Sequence, residues 1–124
     1  MFIGKLLNQT ATLNDFRYLS TLDFVTGSKI NFKAQIFNTE LDLRYVLPST
    51  AVVTFMFNQS DGEVLEIAGT PMTDDRSIIE LEIPATETEN LIGGNVQFEI
   101  DILGDETDIR KGVIQNALSR FLDI

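Results

Sequence analysis

Nineteen carboxylates against nine basic groups make acidic clusters the first place to look for chemistry. Asp101, Asp105, Glu106 and Asp108 fall around Gly104, and Asp74 and Asp75 are adjacent. Calcium and magnesium are hard cations that take oxygen ligands, so such groups are the candidate metal ligands of the chain. The spacing lacks the alternating acids and the twelfth-position glutamate of an EF-hand loop. Solvated hairpin loops account for these clusters more simply, and neither a bound metal nor a cofactor is expected.

Other chemistries are short of parts. The chain has no histidine and no cysteine. It therefore lacks the commonest general base, the commonest transition-metal ligand and any thiolate. Histidine-assisted serine or cysteine nucleophiles cannot be assembled from this chain alone. Two carboxylates suffice for glycoside hydrolysis, but there is no tryptophan to stack a sugar, and the only tyrosines are Tyr18 and Tyr45. Gly93-Gly94 lacks the lysine and further glycines of a phosphate cradle and reads instead as a turn needing positive φ. The chain is expected not to be an enzyme.

The charge is unevenly placed. Residues 1–50 carry five basic and four acidic groups, and residues 51–124 carry four basic and fifteen acidic. Most of this charge reads as solvated strand faces, with docking of a basic partner as the sharper alternative. A surface at −10 repels phosphate backbones and anionic lipid, so neither nucleic acid nor membrane is an expected partner. The N-terminal run Met1–Leu7 is broken by Gly4 and Lys5, too early for a secretion signal. No stretch reaches the roughly 20 apolar residues of a membrane span.

The elements that position these residues are read from period-two alternation. Ile30, Phe32, Ala34 and Ile36 form one series, and Val53, Phe55 and Phe57 a second. Ile79, Leu81 and Ile83 form a third, and Val96, Phe98, Ile100 and Ile102 a fourth. Asp61-Gly62 marks a hairpin before Val64–Ile67, and Thr73–Arg76 marks the next turn. The stretch 84–92 predicts a short helical crossing, with Thr86 and Glu89 at capping-box spacing and Gly93 as its C-terminal cap. The expected fold is one all-β domain over 1–124, an antiparallel β-sandwich of immunoglobulin-like or jelly-roll-like form.

Two features stand outside that pattern. Phe37 and Met56 are out of phase with the core positions beside them, so they face outward or cover a second interface. Both termini are ambiguous: Phe2–Leu7 and Arg17–Val25 have strand-like content of uncertain register. Ile109–Ile114 reads as a strand interrupted by Gly112, and residues 116–124 suit either a strand or a short helix carrying Leu118, Phe121 and Leu122. The segments 1–10 and 115–124 are candidate assembly arms, with Phe2, Ile3, Leu6, Leu7, Phe121, Leu122 and Ile124 as their contact residues.

Between Lys29 and Ile102 the features follow an ordered series. The Ile30–Ile36 strand precedes the Val52–Asn58 strand and the Asp-Gly hairpin. Then come the crossing Pro84-Ala-Thr-Glu-Thr-Glu-Asn-Leu, the strand opened by Gly93-Gly94-Asn-Val-Gln-Phe-Glu-Ile-Asp-Ile-Leu, and the closing Lys111-Gly112-Val113-Ile114. This series resembles the N-terminal sandwich of upper baseplate proteins of phages that infect Gram-positive hosts, and related neck, tail and head-fibre modules. The resemblance implies a non-enzymatic virion structural or adaptor protein, made in the host cytoplasm, that self-associates or docks on other virion proteins. A carbohydrate- or ligand-binding sandwich, calcium-dependent or not, is the alternative.

Overall fold

In a computed structural model, which describes residues 2–7, 18–19, 21–40, 43–102 and 109–121, the alternating segments become strands. In chain order these are β1 (Phe2–Leu7), β2 (Tyr18–Leu19), β3 (Leu22–Val25), β4 (Ile30–Asn38), β5 (Leu43–Arg44), β6 (Ala51–Asn58), β7 (Val64–Pro71), β8 (Ile78–Ile83), β9 (Gly94–Ile102) and β10 (Arg110–Phe121). One helical turn, α1 (Ala85–Thr88), lies between β8 and β9.

The ladder runs β1-β10-β9-β6-β7-β8-β4, and β4 pairs back onto β1. Seven strands thus close into a barrel. The β1–β10 pair is parallel and the other six pairings around the ring are antiparallel, so the barrel is mixed. A sandwich would leave β1 bonded on one edge only. Here β1 is bonded on both, to Ile36 and its neighbours of β4 and to Gly112 and Val113 of β10, and that joins the two open edges. The fold is all-β as the alternation predicts, but a closed barrel replaces the expected pair of sheets. Strands β2, β3 and β5 add short pairings to β1, β10 and β4.

The inward series are the four read from the sequence. Ile30, Phe32, Ala34, Ile36, Val53, Phe55, Phe57, Ile79, Leu81, Ile83, Val96, Phe98 and Ile100 are all buried. Phe32 on β4 meets Phe55 and Phe57 on β6 at 5.8 and 6.0 Å, edge to face. Strands β4 and β6 are not ladder neighbours, so these contacts cross the lumen. Burying one such ring contributes about 1.5–3 kcal/mol, and each aromatic pair about 0.5–1.5 kcal/mol more.

Glycines make room for those rings. A Cβ on Gly112 would meet the Phe98 ring and come 2.6 Å from the Phe2 carbonyl oxygen. One on Gly4 would come 2.7 Å from Ile114 Cγ1, and one on Gly69 would come 2.8 Å from Phe55 Cε2. Small residues opposite large ones are how a narrow barrel fills its interior without strain. Gly112 is therefore part of β10 and does not interrupt it.

The turns follow their residues. Gly62 sits at φ 85° and donates its N–H to the Gln59 carbonyl, while Glu63 N–H bonds Asp61 Oδ1. The Asp-Gly signal thus yields a three-residue loop closed by the Gln59 N–H to Glu63 carbonyl bond. Gly94 has φ 118° and opens β9. The helical turn is shorter than expected. Pro84, at φ −61°, is its N-cap with no side-chain capping bond, and Glu89 is its C-cap. Thr86 therefore lies inside the turn, and Gly93 lies beyond its end. Thr88 does the tying: its buried hydroxyl accepts the Gly27 N–H at 2.9 Å and donates to the Ala85 carbonyl at 3.0 Å.

Strand β10 settles residues 110–121 as strand, not helix. Its register shifts between Ile114, opposite Val96, and Leu118, opposite Gly94. Two extra residues on β10 place Ala117 and Leu118 side by side in the core. Such a bulge re-aims a strand, and beyond it β10 pairs with β3.

One buried polar chain stitches the wall. Gln35 Nε2 donates to Ser77 Oγ at 3.0 Å, and Ser77 Oγ donates to Asp75 Oδ1 at 2.6 Å. Arg76 braces the neighbouring segment through the Leu47 and Pro48 carbonyls.

Two stability outcomes are expected. Gly112→Ala forces the Cβ against the Phe98 ring and Phe2 backbone and lowers stability by about 1–3 kcal/mol in urea melts, and Phe98→Leu in the same chain recovers part of that loss. Ser77→Ala strips the Gln35 amide of a buried partner and costs about 1–3 kcal/mol, read as a fall in melting temperature, whereas Ser60→Ala on the exposed hairpin loop leaves it unchanged.

Candidate functional site

Because side chains alternate along each strand, the residues facing out can be followed around the barrel by register. Met56 lies opposite Gln97, Gln97 opposite Val113, Val113 opposite Ile3, and Ile3 opposite Phe37. The two residues out of phase in the sequence, Met56 and Phe37, therefore stand on one row of the outer wall. Val113 and Ile3 bridge them, and all four are half-buried. The row is apolar except for Gln97.

Lysines flank it. Lys5, two positions along β1 from Ile3, sits 4.6 Å from the centre of the Phe37 ring, within cation–π range. On the other side the adjoining row runs Thr54, Glu99, Lys111. Between the two rows lies a shallow cleft of about 440 Å³, bounded by Phe2, Met56, Gln97, Lys111 and Val113 among others. Phe2 closes its end and packs edge-on against Tyr45 at 5.0 Å.

Most carboxylates stand elsewhere on the wall, among exposed valines and beside Lys29 and Lys33. Glu80 and Glu82 face out from β8, and Glu66 and Asp101 are exposed on β7 and β9. Lys33–Glu80 at 3.6 Å and Lys29–Glu82 at 3.7 Å are surface pairs, worth about 0–1 kcal/mol each. Lys5 and Lys111 thus flank the apolar row, with Glu99 beside Lys111 on its border, while the carboxylates of β8 are paired with Lys29 and Lys33.

The sequence candidates divide. Phe2 and Ile3 join the apolar row and its cleft. Leu6 and Leu7 are buried, and Leu6 belongs to the core. Across Phe2–Leu7 the expected N-terminal arm is a stave of the barrel, held on both edges by ladder bonds. Phe121 ends β10, with its side chain outside the described residues, and Leu122 and Ile124 lie outside them altogether. Of the acidic candidates, Asp101 is exposed on β9, and Asp105, Glu106 and Asp108 fall outside the described residues. Among the described residues no three metal-ligating side chains come together, and no helix is long and apolar enough to cross a membrane.

Val113 and Gln97 were not singled out from the sequence. Val113 sits in a short run of uncertain phase, and only the pairing of β10 with β1 sets it beside Ile3. No family model matches the chain, and no curated relative matches it. Among solved structures the chain is similar to CopC from Methylosinus trichosporium OB3b, with 14% identity and a TM-score of 0.43 over 84% of this chain and 88% of that one.

Proposed function

We propose that this chain is a non-enzymatic assembly module that self-associates, or docks on other proteins, through the outer row Met56–Val113–Ile3–Phe37. The observation that carries the reading is the row itself. Val113, Ile3 and Phe37 from β10, β1 and β4 are direct neighbours on the outer wall, Met56 of β6 extends the row across Gln97 of β9, and lysines stand at its margin. An apolar strip rimmed by charge is the usual composition of a protein interface. Scattered single apolar residues on a surface need no explanation, but three in register on adjacent strands, with a fourth one strand beyond, do.

The virion setting rests on a different support, the resemblance of residues 29–102 to phage baseplate, neck, tail and head-fibre sandwiches. In that setting the module is a structural or adaptor protein of the particle, with other virion proteins and further copies of itself as partners. Copies carrying −10 each repel at low ionic strength, so self-association is expected to strengthen as salt screens them.

Light scattering behind a sizing column tests this. The expected result is a mass above the 13.9 kDa of one chain, rising with concentration and salt. Ile3→Lys and Met56→Lys, which bring charge into the contact, weaken association roughly tenfold or more. Val64→Lys, exposed on β7, leaves it unchanged. A monomer at every concentration overturns self-association through this row.

A further inference from the structure

We infer that the lapse between β7 and β8 is a docking seam that takes an extended, basic segment of a partner protein as an added strand. The two strands share only the pairs Thr70↔Glu80 and Pro71↔Ile79. From Gly69 back to Val64, β7 pairs with β6 alone. From Leu81 to Ile83, β8 pairs with β4 alone. The bond from Met72 N–H to the Ile78 carbonyl, 2.9 Å, sets the phase: main-chain groups alternate along a strand, so those of Glu66 and Ala68 on β7 and of Glu82 on β8 turn into the seam. None of the three has a ladder partner there.

The chain cannot close this gap itself. Pro84 follows β8 directly and has no N–H to offer, and α1 then leads the backbone away. On the outer wall a cleft of about 610 Å³ runs over β8 beside the gap, bordered by Asn31 and Lys33 of β4 and by Ala68, Thr70, Glu80 and Glu82. The small side chain at Ala68 keeps it open. The β1–β10 ladder is as short, Phe2↔Gly112 and Ile3↔Val113, but Lys5 on β1 and Lys111 on β10 stand beside it in place of the carboxylates of the β7–β8 seam.

Exposed strand edges recruit extended segments, with main-chain bonds giving affinity and side chains giving selectivity. Charge names the occupant. Glu66, Glu80 and Glu82 edge the seam, against the ammonium groups of Lys29 and Lys33. The Lys29–Glu82 pair is more than half exposed on both sides and is exchanged at little cost. A segment alternating basic and small apolar residues sets its cations on these carboxylates and its apolar side chains toward the half-buried Leu65 and Ile67. A second copy of this acidic chain does not fit that rim.

The full chain is titrated into a dye-labelled, end-capped hexapeptide of alternating lysine and valine. Two comparison peptides have glutamate for lysine, or N-methylated amides along one edge. Saturable anisotropy is expected for the parent, with each comparison peptide weaker by roughly tenfold or more, and with amide exchange slowed at Glu66 and Ala68. Ala68→Pro removes a seam N–H without touching the β6 ladder, and the exposed pair Glu66→Lys with Glu82→Lys reverses the preference between lysine and glutamate peptides. No binding of the parent peptide overturns the proposal. So does equal binding of the N-methylated peptide, which signals ionic adsorption, or protection at Ile3 and Val113, which assigns the peptide to the apolar row.

Discussion

The fold depends on one close approach: the Phe98 ring lies where a side chain at Gly112 would otherwise stand, and beside it Ile114 of β10 fills the place of one at Gly4. Phe98 is on β9, Gly112 on β10 and Gly4 on β1, three successive strands of the ring. Any side chain at the two glycines would push β1 and β10 off the aromatic core and pull β1 away from β4. Since the β1–β4 and β1–β10 ladders are what turn a curved sheet into a closed barrel, closure and aromatic packing are one constraint. The glycines cost backbone entropy, and a ring buried against them returns more than that.

Closure then dictates the outer wall. In a period-two strand, fixing which residues face the lumen fixes which face out. With Phe98 and Gly112 inward, Gln97 and Val113 are outward, and pairing with β1 brings Ile3 and Phe37 into the same row. The row is therefore a consequence of the core, assembled from strands far apart in sequence. A one-residue slip in β10 would scatter it, and the register shift between Ile114 and Leu118 falls just past Val113, leaving the row intact while re-aiming the strand toward β3.

This explains what was readable beforehand. Strands β4, β6, β8 and β9 carry long, strictly alternating apolar series, so their existence and inward faces followed from the residues alone, as did the oddity of Phe37 and Met56. Strand β1 did not: Gly4 removes the inward side chain at mid-strand, and Leu7 is buried although it alternates with Leu6. Its ladder partners are local to neither side in sequence. The capping-box reading of Thr86 and Glu89 failed because Pro84 starts the turn earlier and Thr88 takes up the polar work. The β1 failure comes from contacts between segments distant along the chain, and the capping failure from a local proline joined by the long-range bond of Thr88 to Gly27.

The two exposed features answer the same physical problem differently. A sheet must hide its edges or guard them. Around most of the ring this chain hides them by closure; at the β7–β8 lapse it guards them with carboxylates. Two copies meeting edge to edge there would bring Glu66 and Glu82 against their own kind, and like charges directly opposite across strands are unfavourable. On the far side of the barrel Lys5 and Lys111 flank a strip that is apolar but for Gln97, with Glu99 at its border. A copy approaching that side meets a single carboxylate, Glu99, beside Lys111. In the proposed reading the distribution of charge thus separates two kinds of contact: one wall disfavours strand pairing between identical chains while leaving main-chain groups for a basic partner, and the other is the side offered to an apolar surface.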